Sequence, residues 1–269
     1  MTCGTIRLDG LSLRLSTTPE GNRSLPAPGV KQLSSRAGDV ALSLIIPVLN
    51  EADTIGMRLA ALAGLKTAGV EVIVVDGGSA DATCAQAARF ADRVLRARRG
   101  RAAQMNAGAL IADGDVLLFL HADTVLPHDA VERISAGLRD GAHVWGRFDV
   151  RIAGAHPFLP LVGAMMSVRS RITGVATGDQ AMFVRRDTFE RVGGFPDIAL
   201  MEDIALSKAL KCVSRPLCVS APVITSGRRW DTNGFWRTVI LMWRLRLAYF
   251  FGASPDKLAR RYGYSPREC

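Results

Sequence analysis

The sequence predicts an α/β fold built on a mainly parallel sheet, and three observations carry that expectation. Short apolar runs recur at Leu42–Val48, Val70–Val75 and Val116–Leu120. Helix-compatible stretches of roughly 10–14 residues separate them, which is the spacing of βαβ crossovers. Asp76, His121 and Asp123 follow the runs directly, at the carboxyl ends where doubly wound sheets bind ligands.

Each element follows in order. Residues 1–40 are rich in Ser, Thr, Gly, Pro and Arg and keep no sustained period. Their apolar content is too low to offset ordering entropy, so a disordered leader is expected. Leu42–Val48 forms a first strand, interrupted near its end by Pro47, and Asn50-Glu51-Ala52-Asp53 can cap a helix expected through Leu65. Val70–Asp76 forms a second strand, and Gly77-Gly78-Ser79 turns into a helix over 81–90. A brief strand near 93–97 and a glycine turn lead to a helix from Arg101 to Ile111, before the run from Val116. After Pro127 the alternation loosens, with strands expected over 143–152 and 181–185, a helix over 201–213 and a closing strand over 216–220.

The chain has 269 residues, 48% apolar and 22% charged, enough to bury a core. Its net charge of +9, carried mostly by arginine, points to an anionic partner. No recognised nucleic-acid motif accompanies it, so nucleic acid is not expected. The five cysteines are scattered without a C-x-x-C pair, which argues against a disulfide framework or zinc site and for a reducing compartment. The N-terminus lacks the apolar core of a signal peptide. A cytoplasmic location is the expectation.

Several side chains can carry chemistry. His121 and Asp123 stand two positions apart after a strand, so an extended chain points both to one face, toward one cation. Asp76 can accept hydrogen bonds from a base or ribose hydroxyl, or cap the next helix. Arg98, Arg99 and Arg101 stand beside a helix N-terminus, which attracts anions, or they form a solvated face. Glu202 and Asp203 open a helix, where carboxylates compensate the dipole or where Asp203 serves as a general base. The small residues around Gly178-Asp179-Gln180 let a ligand approach the backbone, or make a plain turn.

The ordered series Ile45-Ile46-Pro47-Val48-Leu49-Asn50-Glu51, Val75-Asp76-Gly77-Gly78-Ser79, Asn106-Ala107-Gly108, His121-Ala122-Asp123, Gly178-Asp179-Gln180 and Glu202-Asp203 resembles the family-2 glycosyltransferases of GT-A fold. Among these it is most similar to a bacterial subgroup named for association with radical-SAM and selenium-domain genes, or with arsenosugar biosynthesis. The resemblance implies a Rossmann-like domain over 41–225 and inverting transfer of a sugar from a nucleotide diphosphate sugar. It further implies that Glu51 and Asp76 bind the nucleoside, that Arg101 lies near the diphosphate, and that Asp123 coordinates Mg²⁺ or Mn²⁺. Asp203 matches the base, and Gly178, Asp179, Gln180 and Glu202 lie on the acceptor side. His121 departs from the family's D-x-D motif, replacing its first carboxylate. Ser226-Gly227-Arg228-Arg229-Trp230 keeps only the Arg-Trp half of the processive Q-x-x-R-W motif, so processive polymerisation is not expected, and Arg229 or Arg228 is assigned to the diphosphate. The acceptor, lipid-linked or a small molecule, is not specified.

Two other classes compete. A nucleotidyltransferase would carry a glycine-rich, Lys-bearing loop, which Pro47-Val48-Leu49-Asn50 is not. A non-catalytic basic module binding membrane or nucleic acid is compatible with the charge alone. Residues 226–269 are set apart as a basic amphipathic helix and tail. A helix over 235–251 would span ~25 Å, short of the ~30 Å hydrocarbon core, and Arg237, Arg244 and Arg246 interrupt it. It is expected either to lie at the inner membrane face as a peripheral contact or to pack on the catalytic domain.

Overall fold

The computed structural model describes residues 40–264; the leader and residues 265–269 lie outside the described part. The elements run β1 (Leu42–Val48), α1 (Ala52–Ala60), α2 (Ala63–Thr67), β2 (Glu71–Asp76), α3 (Thr83–Ala87), β3 (Arg93–Arg96), α4 (Arg101–Ile111), β4 (Val116–Phe119), β5 (Thr124–Val125), α5 (Ala130–Leu138), β6 (Trp145–Ala153) and α6 (Leu159–Thr173). A 3-10 turn (Gly178–Gln180), β7 (Phe183–Arg185), α7 (Arg186–Arg191), α8 (Glu202–Lys211), β8 (Leu217–Ser226), α9 (Arg228–Asn233), α10 (Phe235–Phe250) and α11 (Pro255–Tyr262) complete it.

The strands form one sheet in the order β3-β2-β1-β4-β7-β6-β8-β5. The pairings β1–β2, β1–β4, β2–β3 and β6–β8 are parallel, and those of β7 with β4 and β6 and of β5 with β8 are antiparallel. The expected mainly parallel sheet is therefore present, with mixed pairing beyond β4, where β6–β8 is parallel and the other pairings are antiparallel. Continuous apolar strands are needed because both faces are covered. Leu44, Ile46, Val72, Val74 and Leu118 pack to one side with Ile55 and Ile134. Ile45, Ile73, Val75, Leu117 and Phe119 pack to the other with Met105. Pro47 is tolerated in β1 because pairing with β4 ends at Ile45–Phe119, beyond which a missing donor costs no ladder bond on that side.

Two close approaches set the geometry. A Cβ on Gly108 of α4 would lie 2.5 Å from Ile45 Cγ2 and 3.0 Å from Val75 Cγ2, so α4 lies directly on β1 and β2. A Cβ on Gly163 of α6 would lie 2.6 Å from the Val150 carbonyl oxygen. On the same face of α6, Ser167 Oγ accepts the Val150 N–H at 3.1 Å and Ser170 Oγ accepts from Arg147 Nε at 3.0 Å. Arg147 is wholly buried and also donates to the Ser167 carbonyl at 3.0 Å.

Three boundaries differ from expectation. The helix expected through Leu65 is two pieces, because the turn at Ala61-Leu62 delivers Leu62 into the core. The helix expected over 81–90 is only α3, since Asp81 stays outside it and accepts the Thr83 N–H at 3.0 Å. The closing strand extends to Ser226 because β6 pairs along nearly all of it and β5 joins its far end. No helix was expected at α6.

The C-terminal helices join the same body. Leu245 of α10 and Leu258 of α11 share a core with Met201 and Ile204 at the start of α8. Among the described residues no helix is long and apolar enough to cross a membrane.

Gly108→Ala tests the α4 contact. Overpacking a tight core costs ~1–3 kcal/mol, so a lower denaturation midpoint is expected; unchanged stability would mean α4 has slack against β1.

Candidate functional site

The carboxyl ends of β1 and β2 are stitched into one rim. Asp76 is fully buried, and its carboxylate accepts the Gly78 N–H at 3.1 Å, the Ser79 N–H at 3.0 Å and the Ser79 hydroxyl. Burial alone would raise its pKa, but the Ser79 hydroxyl, the Ser79 and Gly78 N–H groups and the Cys84 side chain hold it below the ordinary value. The Ser79 hydroxyl in turn accepts the Asn50 N–H at 2.8 Å, and Asn50 Oδ1 accepts the Ala80 N–H at 2.9 Å. Asn50 adopts a left-handed φ of 52° to do so, a conformation that Asn tolerates better than most residues. Thr83 Oγ1 accepts the Glu51 N–H at 2.8 Å. Beneath the rim, Gln104 of α4 donates to the Val48 carbonyl at 2.9 Å and the Val75 carbonyl at 2.8 Å, clamping the two strand ends.

A cleft of about 990 Å³ opens beside this rim. Of the residues singled out from sequence, Glu51, Arg101, His121, Asp123, Asp179 and Arg229 line it. Asp76, Gln180 and Glu202 are buried behind its walls, and Asp203 is half-buried there. Glu51 Oε2 accepts from Thr54 at 2.8 Å, while Oε1 lies 3.5 Å from Arg228 Nη2 of α9, across the cleft.

Charge organises the floor. Arg101, in the first turn of α4, is within electrostatic reach of Glu202, Tyr262, Asp179 and Asp203. Burial works against its charge, but these groups overcome it and hold the guanidinium above its ordinary pKa. Arg101 and Asp179 are surrounded by protein yet still open to the water in the cleft. Burial, and then the neighbouring Asp203, push the Glu202 carboxyl up to about 7 against the pull of Arg101. Asp203 Oδ2 accepts the Gly178 N–H at 2.8 Å, and Oδ1 accepts the Ile204 N–H at 2.7 Å.

His121 Nδ1 lies 3.3 Å from Asp179 Oδ1. Its Nε2 and Cε1 occupy the space where any side chain at position 178 would begin, so Gly178 is required for the imidazole to lie over the 3-10 turn. Burial would raise the Asp179 pKa, but the His121 hydrogen bond and charge, with Arg101 and Arg246, bring it below the ordinary value. Gln180 is spent on structure: its Oε1 accepts the Thr177 N–H at 3.2 Å and its Nε2 donates to the Phe148 carbonyl at 3.4 Å.

Asp123 is more available. Among the described residues the one hydrogen bond its carboxylate accepts is from Thr124 Oγ1 at 3.4 Å, and it faces the cleft. Among the described residues no cluster of three or more His, Cys, Asp or Glu side chains stands ready to hold a metal ion. Mg²⁺ commonly needs only one or two protein carboxylates, with substrate phosphates and water completing its shell, and Asp123 fits that share. His121 would have to leave Asp179 or turn off Gly178 to join it.

The three arginines expected at the α4 N-terminus separate: Arg98 pairs with Asp197 outside the cleft and only Arg101 enters it. The Arg229 guanidinium sits over the Tyr262 ring of α11, 4.0 Å from its centroid, and Arg228 turns to Glu51. Sequence reasoning missed Gln104, Tyr262, Arg169 and Arg246, all of which line the cleft. Pro160 in the first turn of α6 and Gly174 at its end (φ 64°) were signals available for the helix that carries Arg169.

The profile of glycosyl transferase family 2 matches residues 43–188, from the start of β1 into α7, and the chain belongs to that family. An uncharacterized glycosyltransferase of Mycobacterium tuberculosis is 33% identical over 138 residues, covering 50% of this chain and 61% of that protein. A glucosyl-3-phosphoglycerate synthase of Mycolicibacterium paratuberculosis is 29% identical over 141 residues, covering 48% of this chain and 43% of that protein. The chain thus spans only about two-fifths to three-fifths of the length of these relatives. Two solved structures share the fold. S. aureus TarS in complex with UDP-GlcNAc has a TM-score of 0.58 at 18% identity, over 69% of this chain and 58% of that one. A mannosyltransferase from Pyrobaculum calidifontis in complex with GDP-Man and Mn²⁺ has a TM-score of 0.56 at 20% identity, over 84% and 70%.

Glu202 gives a pH test. Its pKa rises on folding from 4.5 to about 7, so its contribution to stability is present below the unfolded value and is lost as pH climbs toward the folded one. Thermal unfolding of wild type should therefore weaken across that window more than that of Glu202→Gln. Parallel curves would contradict the buried-carboxyl assignment.

Proposed function

We propose that the chain transfers a sugar from a nucleotide diphosphate sugar to an acceptor hydroxyl, with inversion and without processive polymerisation. The observation that carries this reading is the convergence of Glu51, Asp123, Arg101 and Asp179 on one cleft at the strand ends, with Glu202 and Asp203 within electrostatic reach of Arg101 behind it. UDP-GlcNAc and GDP-Man in the structural neighbours support a donor of that class. The order of motifs supports the finer likeness to the radical-SAM-associated subgroup.

The nucleoside end is assigned to the rim, with Glu51 at the cleft wall and Asp76 holding the rim's shape. Mg²⁺ or Mn²⁺, when bound with Asp123 and the donor diphosphate, supplies Lewis-acid stabilisation of the leaving group. Arg101 adds fixed positive charge from the first turn of α4, where the helix dipole has the same sign. The acceptor hydroxyl attacks the anomeric carbon from the opposite side. Its C–O bond forms as the bond to the diphosphate breaks, and its proton passes to a carboxylate. The resemblance assigns that base to Asp203, while exposure to the cleft and the His121 hydrogen bond favour Asp179.

Residues 226–269 are read as an appended basic segment that contributes cleft wall through Arg229, Arg246 and Tyr262. Peripheral association with the inner membrane face is part of the proposal, supported by the exposed Trp236 and Trp243 of α10.

General-base help is worth ~10²–10⁴ in rate. Asp203→Asn is expected to lose transfer on that scale while retaining nucleotide-sugar binding. Full transfer by Asp203→Asn, with loss in Asp179→Asn, would move the base to Asp179.

A further inference from the structure

The wall of the cleft formed by α6 and α10 carries features that donor binding does not use. Arg169 of α6 lines the cleft with its Nε and Nη2 buried and without a hydrogen-bond partner among the described residues. Buried polar groups are ordinarily paired, and leaving a charged one unpaired is costly. Arg246 of α10 lines the same cleft. Burial first, and then the charges of Arg246 and Arg147, depress the Arg169 pKa to about 10, with Asp203 pulling the other way. The guanidinium therefore stays charged at neutral pH. Guanidinium groups match phosphate oxygens in both charge and geometry.

The same helices also expose a row of apolar side chains, of which Met165 and Trp243 line the cleft as well. The face of α6 toward β6 is made of Leu159, Gly163, Ser167 and Ser170, while Leu161, Met165, Val168 and Ile172 are exposed. Besides the apolar side chains that pack inward, Leu159, Val162 and Met166, the helix thus exposes a second apolar row, unusual for a surface helix. On α10, Trp236, Ile240, Trp243, Leu247 and Phe250 follow the same spacing and are exposed, Trp243 at 67%. The two stripes meet where the Phe158 and Trp236 rings lie 6.5 Å apart. Arg237 and Arg244 flank the α10 stripe, and cationic side chains beside interfacial aromatics complement anionic lipid.

We propose that the acceptor is a phosphate-bearing amphiphile in a membrane, its phosphate held between Arg169 and Arg246 and its apolar chain lying along the exposed faces of α6 and α10. This rests on the transferase reading and adds the acceptor's class: the grip would hold the head group close to Asp203 and Asp179. The bilayer is the committed occupant of the two stripes. Deleting the C-terminal segment cannot test this, because it would strip Leu245 and Leu258 from the core shared with α8.

The test is co-sedimentation of the full-length chain with phosphatidylcholine vesicles containing phosphatidylglycerol. Arg169→Gln and Arg246→Gln are each expected to weaken binding about tenfold, the scale of one lost charge-assisted hydrogen bond. Arg260→Gln removes the same charge from the outside of α11 and is expected to bind like wild type. Trp243→Ser should also weaken binding. Among the described residues the Arg169 side chain makes no hydrogen bond that its variant would lose, so that variant is expected to fold, and Arg246→Gln serves as the second probe of the site. Equal losses in Arg169→Gln and Arg260→Gln, or no vesicle binding by wild type, would overturn the inference. Calorimetry with glycerol 3-phosphate separates the sources: Arg169-dependent binding of that soluble phosphate without vesicle binding would also overturn the membrane acceptor. Nucleotide-sugar binding measured on the same preparations keeps the readings apart, since donor binding that persists when the vesicle result fails leaves the transferase reading standing.

Discussion

Three carboxylates, Asp179 on the cleft and Glu202 and Asp203 behind it, stand within electrostatic reach of one fixed positive charge, Arg101, and their packing together depends on it. Asp179 arrives on the 3-10 turn, Glu202 and Asp203 on the first turn of α8, and Tyr262 on the end of α11. Each of these elements is remote in sequence from α4. Arg101 compensates them only in part: burial and the neighbouring Asp203 still push the Glu202 carboxyl upward. Close carboxylates commonly divide their protonation in this way.

A second constraint acts at the opposite side. Asp76 has no exposure to the cleft, and its effect is exerted through the loop it folds. By gathering Ser79 and the following N–H groups, it lets Ser79 and Asn50 tie the β1 and β2 rims together, while Gln104 closes them from below. Glu51 is thereby presented to the cleft on a backbone pinned at the Thr83 hydroxyl. Pre-positioning of this kind reduces what a ligand must order on binding.

Much of this was legible in the chain. The β-branched runs read as strands because both faces of the sheet are covered, and Arg101–Ile111 matched α4 residue for residue. Glu51, Arg101, Asp123 and Asp179, singled out in the chain, line one cleft. Other parts were illegible for physical reasons. Helix α6 carries apolar residues on both its inward and its exposed sides, with small residues at its closest contact, which blurs the pattern by which a surface helix is recognised. The partners of Arg229 and His121 come from α11 and the 3-10 turn, and such tertiary neighbours leave no mark at short sequence separation. The division of the Arg98-Arg99-Arg101 group depended on Asp197, about a hundred residues away, which takes Arg98 out of the cleft. The expected leader over 1–40 lies almost wholly outside the described residues.

The central claim is that this cleft is a nucleotide-sugar site in which Asp123 serves the diphosphate through a divalent cation. Isothermal titration of the wild-type chain and Asp123→Asn with UDP- and GDP-linked sugars, with and without Mn²⁺, tests it most directly. Saturable wild-type binding of one donor class, strengthened by Mn²⁺ and with that strengthening lost in Asp123→Asn, is the predicted result. Folded wild-type protein that binds neither donor class, or Mn²⁺-dependent binding that Asp123→Asn leaves intact, would contradict it.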